Sequence, residues 1–276
     1  MTETRPSATR FGFGDNWRNF IGDVSESRIA LAEASLRERL EDFDVSGKTM
    51  LDVGCGSGLF SLAAVRLGAK EVRSFDFDPL SVEASRTLKR RYAPDAAWTI
   101  GQGDATDRTF MEALGAFDLV YSWGVLHHTG SMWQALALAS KRVAADGCMF
   151  ISIYNDQGGT SKLWRAVKRR YNRLPQVLRV PYAVVVMIPS ELRSILSLSV
   201  RGRLGVYVRG WTEPRERGMS RWHDLLDWVG GYPFEVATPE EIFRFARDRG
   251  LVLRELKTCG GGLGCNEFVF RRTGSA

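Results

Sequence analysis

The chain has 276 residues, 44% of them hydrophobic and 25% charged, enough to bury a core as one large domain or two small ones and ordinary for a folded globular protein. The polar opening MTETRPSATR has no signal-peptide core, and the longest apolar run, Tyr182 to Ile188, sits between two prolines and falls far short of the roughly 20 residues of a membrane span. A cytoplasmic location is the expectation. The four cysteines, Cys55, Cys148, Cys259 and Cys265, form no CxxC pair and have no His at zinc-ligand spacing, so neither a disulfide framework nor a metal is expected. The net charge of +6 is uneven: from Ser161 to Arg217 thirteen Lys and Arg face only Glu191, Glu213 and Glu216, a local balance of +10.

In chain order, an aromatic and glycine-rich stretch from Phe11 to Trp17 precedes a predicted helix from Glu26 to Phe43, whose Ile29, Ala32, Leu36 and Leu40 share one face. Thr49 to Val53 reads as a buried strand that ends in Gly54-Cys55-Gly56-Ser57-Gly58 and passes into a helix from Leu59 to Leu67. The alternation then repeats as in a parallel sheet. Strand two is Glu71 to Phe77, followed by a helix from Pro79 to Tyr92; strand three is Trp98 to Gln102 and strand four Phe117 to Ser122. Met132, Leu136, Ala139 and Val143 mark the face of the next helix, and Cys148 to Tyr154 is strand five. Thr238-Pro239-Glu240-Glu241 is a helix start with a Thr cap, Pro at the first position and Glu at the third. Gly250 closes that helix. Leu251 to Lys257 is strand six and Glu267 to Arg271 strand seven, with Gly260 to Gly264 as a hairpin turn between them. Residues 155–237 break the alternation and read as an insertion into a single domain rather than a second one.

Several residues carry chemistry. A glycine turn between a first strand and a helix brings backbone N–H groups close to a ligand; the dinucleotide fingerprint G-x-G-x-x-G is not met, because Leu59 stands where its third glycine would be. Asp76, 22 residues after Gly54, ends strand two where a carboxylate can accept from both hydroxyls of a ribose; capping the next helix is its blander role. Gly103-Asp104-Ala105 follows strand three and suits an adenine edge, unless Asp104 only forms a turn. Strand four runs into Ser122-Trp123-Gly124-Val125-Leu126-His127-His128.

In order and spacing, LDVGCGSG, SFDFD, GDA and FDLVYSWGVLHH resemble the class I S-adenosylmethionine-dependent methyltransferase superfamily, in particular its ubiquinone-pathway O-methyltransferase branch. The resemblance covers Met50 to Tyr154 and resumes from Thr238. It implies an α/β, doubly wound, seven-stranded mostly parallel sheet in strand order 3-2-1-4-5-7-6, with strand seven antiparallel, and S-adenosyl-L-methionine as cofactor. Carried over, Gly54, Gly56 and Gly58 pass beneath the methionine part, with Asp52 supporting the turn. Asp76 holds the ribose, Phe77 packs on adenine, Asp104 and Ala105 address the adenine edge, and Trp123 contacts the methionine part through its backbone. Asn16 and Trp17 either reach over the cofactor or simply pack.

Methyl transfer to a hydroxyl needs a base, and histidine is the natural one near neutral pH. Of the three histidines, His127 and His128 lie just past strand four, where the methyl group should point; His223 and Tyr154 rank below them. The expected reaction is O-methylation of a small or medium-sized, anionic metabolite. C-methylation of an isoprenoid or other electron-rich carbon, and a nucleotide-dependent oxidoreductase, are the alternatives. Residues 1–45 are expected to form a helical cap and 155–237 a lid, ordered by six aromatics between Tyr207 and Phe234, whose Arg201, Arg203 and Arg209 meet the acceptor. Peripheral membrane contact and a solvated basic face are the other readings of that segment. Nucleic acid is disfavoured for want of a recognisable binding module.

Overall fold

A computed structural model of the chain describes residues 11, 12, 22, 24–212 and 221–273. Asn16, Trp17, Glu213 and Glu216 lie outside the described residues, as does most of the aromatic opening stretch. The chain forms two compact units: residues 13–161 with 235–276, whose described part is built on a sheet, and residues 162–234 with 1–12, whose described elements are helices.

In the sheet unit the elements are α1 (Glu26–Leu40), β1 (Thr49–Val53), α2 (Leu59–Arg66), β2 (Glu71–Asp76), α3 (Pro79–Tyr92), β3 (Trp98–Gln102), α4 (Arg108–Ala113), β4 (Phe117–Trp123), α5 (Met132–Ser140) and β5 (Val143–Tyr154), followed after the helical segment by α10 (Pro239–Arg247), β6 (Leu251–Lys257) and β7 (Cys265–Arg272). Their strands make one seven-stranded sheet in the order β3-β2-β1-β4-β5-β7-β6. Strand β7 runs antiparallel to β5 and β6, and all other pairings are parallel. From β1 the chain winds outward through β2 and β3, then returns to β4 on the other side. That reversal opens a crevice at the carboxyl ends of β1 and β4, where ligands bind in sheets of this kind.

The local chemistry explains the elements. Ser25 caps α1 by accepting from the Arg28 N–H, and Ile29, Ala32, Leu36 and Leu40 are its buried residues. Helix α10 starts on a complete capping box: Thr238 accepts from the Glu241 N–H while the Glu241 carboxylate takes the Thr238 N–H. The central strands bury Leu51, Val53, Val120 and Ile151 against Leu136 and Ala139 of α5 and Ile242 and Ala246 of α10, an arrangement in which each apolar helical face meets an apolar sheet face.

Two expectations fail here. The one-turn-and-a-half helix α4, capped by Asp107 accepting from Phe110 N–H, was not anticipated. Val143, assigned to a helix face by spacing, instead opens β5 and pairs with Phe117, and a register shift before Leu119 lets the strand resume. A four-residue helical spacing, here Ala139 to Val143, cannot tell the last helical position from the first strand position across a tight turn, here Lys141–Arg142.

The helical unit contains α6 (Gly159–Arg173), which begins just before it, α7 (Gln176–Val200), α8 (Leu204–Thr212) and α9 (Arg221–Gly230). The basic stretch from Lys162 to Arg179 is divided between α6 and α7, which part at Pro175, the cap of α7. The short apolar run between prolines is the middle of a longer helix: α7 runs for 25 residues with Pro181 and Pro189 inside it. By length and composition it could cross a membrane, with mean hydropathy 1.6 over 18 residues of which 6% are buried. The unit's core gathers Tyr171, Ala183, Leu225 and Val229, with Trp164, Trp228 and Phe11 packed around them. Lys168 is fully buried there. Its ammonium donates to the Trp228 carbonyl and lies 4.4 Å from the Trp228 ring centre and 4.9 Å from that of Phe234, so aromatic faces and a carbonyl replace the water it has lost.

Candidate active site

The glycine turn stands at the carboxyl end of β1. Gly54 (φ +78°), Gly56 (φ +54°) and Gly58 (φ +80°) occupy the left-handed region, and the Gly54 and Cys55 N–H groups both donate to the Phe75 carbonyl. A Cβ on Gly54 would lie 2.2 Å from Val125 Cγ1, far inside van der Waals contact. The same near-contact places the turn after β4, which carries the histidines, directly against the turn after β1.

Asp76 closes β2 beside this turn. One carboxylate oxygen accepts from Gly56 N–H and the other from Asp78 N–H, each at 2.9 Å. The cap of α3 is Asp78, accepting from Leu80 N–H, so Asp76 is not consumed by the capping role. Burial pushes its pKa up to about 6, against the pull of the backbone N–H groups; near neutral pH it is mostly ionised. An ionised carboxylate has about four acceptor positions, so two backbone bonds leave capacity for a pair of hydroxyls. Phe77, next in sequence, is 52% exposed, a large ring held at the mouth of the crevice. Asp104 accepts from both the N–H and the hydroxyl of Thr106, which is the turn-forming role weighed against it, while Ala105 beside it is buried.

Beneath the turn runs a buried chain of hydroxyls. Trp98 Nε1 donates to Ser74 Oγ at 2.6 Å, Ser74 and Ser61 share a bond at 2.7 Å, and Ser61 Oγ donates to Asp52 Oδ2 at 2.6 Å. Because the Ser61 proton goes to Asp52, Ser74 must donate to Ser61, so the whole chain points at one carboxylate. Asp52 is nearly inaccessible. Its pKa is pushed up to about 7, first by burial and then by the nearby Asp76 charge, with the Ser61 bond opposing. Burial likewise holds the Cys55 thiol well above its ordinary range, so it is no nucleophile. Ser61 and Ser74 escaped the sequence reading; polar residues at otherwise apolar positions of β2 and of α2, the helix before it, were the signal.

The expected catalytic candidates come together. The His127 and His128 ring centres are 4.6 Å apart, and Tyr154, the last residue of β5, lies 4.0 Å from His127 and 5.4 Å from His128. His127 is buried whereas His128 and Tyr154 are half-buried. Glu235 pins this corner, donating its N–H to the His127 carbonyl and accepting from Met132 N–H at the start of α5; nothing in the sequence singled it out. His223 falls in α9, in the helical unit. The Trp123 indole donates to Glu267, which also pairs with Arg39 of α1. The Trp123 indole N–H is thus engaged away from any ligand.

The family model of ribosomal protein L11 methyltransferase (PrmA) matches residues 33–100, the stretch from α1 to β3 that carries the glycine turn and Asp76. The ribosomal protein L11 methyltransferase of Vibrio campbellii is 53% identical over 54 residues, 20% of this chain and 18% of that protein. The chain therefore matches under a fifth of the length of that relative. Among solved structures, an O-methyltransferase family protein from Burkholderia thailandensis superposes with TM-score 0.58 at 14% identity, covering 98% of this chain and 66% of the other. Magnesium protoporphyrin IX methyltransferase from Synechocystis, with bound SAH, superposes with TM-score 0.54 at 15% identity and covers 94% of each chain.

The fold is that of the class I S-adenosylmethionine-dependent methyltransferases. The cofactor fits the residues present. Gly54, Gly56 and Gly58 put no side chain of their own between the turn's backbone and a ligand, the Asp76 carboxylate can receive the ribose hydroxyls, and the exposed Phe77 ring offers a face for adenine.

Proposed function

We propose that the chain transfers a methyl group from S-adenosylmethionine to an oxygen of its acceptor, with His128 as the base. The observation that supports this reading is the cluster of His127, His128 and Tyr154 set against the glycine turn through Val125. S-adenosylmethionine supplies an electrophilic methyl group on a positively charged sulfur. The protein's part is to hold and orient. Gly54, Gly56 and Gly58 let the backbone approach the methionine portion, Asp76 accepts from the ribose, Phe77 and Ala105 flank the adenine, and Asp104 meets its edge. In-line positioning supplies much of the acceleration in such transfers. A hydroxyl acceptor loses its proton to the half-buried His128 imidazole, while the buried His127 and the Tyr154 ring fix the orientation of His128. The acceptor in this reading is a small or medium-sized metabolite.

A second reading, a protein acceptor, is favoured by the names of the relatives matched over the cofactor-binding segment. That segment ends at residue 100, before His127, His128 and Tyr154, so it speaks for the cofactor more than for the acceptor. Incubating the protein and cell extract with methyl-tritiated S-adenosylmethionine, then separating small molecules, lipids and proteins, decides between them. Label in an alkyl ether or ester of an extractable molecule, lost in His128→Gln, is the expected result. Label confined to protein amines overturns O-methylation.

A further inference from the structure

The helical unit leaves a large apolar surface uncovered. Along α7, Val180, Val184, Ile188, Leu192, Leu196 and Val200 recur every four residues and are 40–81% exposed, each beside the next in a ridge that winds gradually around the helix, since residues four apart are neighbours offset by a fraction of a turn. The reverse face, with Tyr182, Ala183, Val186 and Met187, packs into the core around Tyr171 and Leu225. Helix α8 adds Leu204 and Val208, 46% and 59% exposed. Ordinary surfaces scatter exposed apolar side chains singly, and a contiguous band of this size marks an interaction site.

Charge identifies the occupant. From Ser161 to Thr212 the sequence carries eleven Lys and Arg against Glu191 alone, and Glu191 accepts the Tyr207 hydroxyl. Arg193, Arg201 and Arg203 are exposed along the carboxyl-terminal half of the ridge. Two copies meeting ridge to ridge would bring these like charges together, which opposes association. A surface that is apolar in the middle and anionic at its edge fits them instead, and a bilayer of acidic phospholipid is such a surface. Helix α7 is long enough to span a bilayer, but its reverse face is held by side chains of α6 and α9 within the same unit, so it lies along the interface rather than crossing.

We propose that the helical unit docks on anionic phospholipid membranes, seating the α7 ridge among acyl chains with Arg193, Arg201 and Arg203 against headgroup phosphates. The test is flotation of the full chain with vesicles of phosphatidylcholine alone and of phosphatidylcholine mixed with phosphatidylglycerol, with S-adenosylhomocysteine binding measured on the same samples. The expected result is flotation with the mixed vesicles, abolished by Leu192→Asp/Leu196→Asp. Arg201→Glu/Arg203→Glu should weaken it at least roughly tenfold, at about 1 kcal/mol per basic residue near the surface. Cofactor binding, a property of the sheet unit, should be unchanged in both variants. The arginine variant alters only exposed side chains and stays informative should the leucine variant misfold. Absence of flotation, equal flotation with phosphatidylcholine alone, salt-sensitive binding to RNA without flotation, or a dimer that Leu192→Asp/Leu196→Asp dissolves would each overturn the proposal. Because vesicle binding is read independently of turnover, it can fail while the methyltransferase reading stands, and the reverse.

Discussion

The sheet unit and the helical unit treat their apolar residues in opposite ways. In the sheet unit, α5 buries Met132, Ala135, Leu136, Leu138 and Ala139, because a strand face of matching polarity lies opposite. In the helical unit, α7 has Ala183 as its buried residue while its ridge faces outward. Apolar residues at helical spacing show that a face wants cover, but only the presence of a second apolar face within the chain decides whether the fold supplies it. Chemistry divides the same way: the buried carboxylates and the histidine cluster sit on the sheet unit, and the exposed cationic surface sits on the helices.

That division can be broken by substitutions that should act on one unit alone. The largest effect is expected from His128→Ala, which should lower kcat by about 10²- to 10⁴-fold, the usual contribution of a positioned base, and remove the acidic limb of the pH–rate profile. Cofactor affinity and vesicle flotation should be intact. A variant that keeps its rate and profile would confine His128 to shaping the pocket. Next comes Gly54→Ala, where the new Cβ meets Val125 Cγ1 at 2.2 Å with φ +78°. A strained left-handed residue costs about 1–3 kcal/mol before the clash is added, so cofactor binding should fall to a small fraction. Val125→Ala combined with it should restore part of the loss, which calorimetry would show; no rescue would mean the two turns are not in contact.

Asp52→Asn sharpens the comparison through pH. The folded pKa of Asp52, about 7, is raised above its unfolded value, so the folded state binds the extra proton. The stability this brings is present below pH 4 and is lost as pH rises through 7. Asparagine can still accept from Ser61 without being charged. The variant should therefore gain stability over wild type as pH is raised from 5 to 8, on the order of 2–4 kcal/mol at the upper end, read from thermal denaturation. A gain independent of pH would show that the Asp52 carboxyl is not charged against its surroundings.

Much of the sheet unit was legible because its signals are local. The capping box at Thr238, the glycine turn after β1 and the period of Ile29, Ala32, Leu36 and Leu40 each act within one or two helical turns. The antiparallel β7 came only by resemblance, since strand direction is set by connections and not by any residue pattern. The length of α7 is not legible in the sequence because Pro181 and Pro189 bracket its longest apolar run. Proline removes a backbone donor, but the carbonyls left behind belong to Val177 and Val185, 81% and 64% exposed, where the missing bonds leave no polar group in a packed core. Asp76 and the paired histidines stand where their place in the sequence put them, at and just past the ends of β2 and β4, whereas the Glu235 contacts and the Trp98–Ser74–Ser61–Asp52 chain join residues distant in sequence and needed the fold.

The most direct test of the sheet unit as a cofactor site is calorimetry of S-adenosylhomocysteine binding to wild type and Asp76→Ala. Loss of hydrogen bonds to a charged group predicts a weakening of about 1–3 kcal/mol, roughly five- to 150-fold in Kd. Wild-type affinity should also decline as pH falls below about 6, where Asp76 takes up a proton. Unchanged affinity in a folded Asp76→Ala, or a wild type that binds NAD and neither sulfur cofactor, would contradict it.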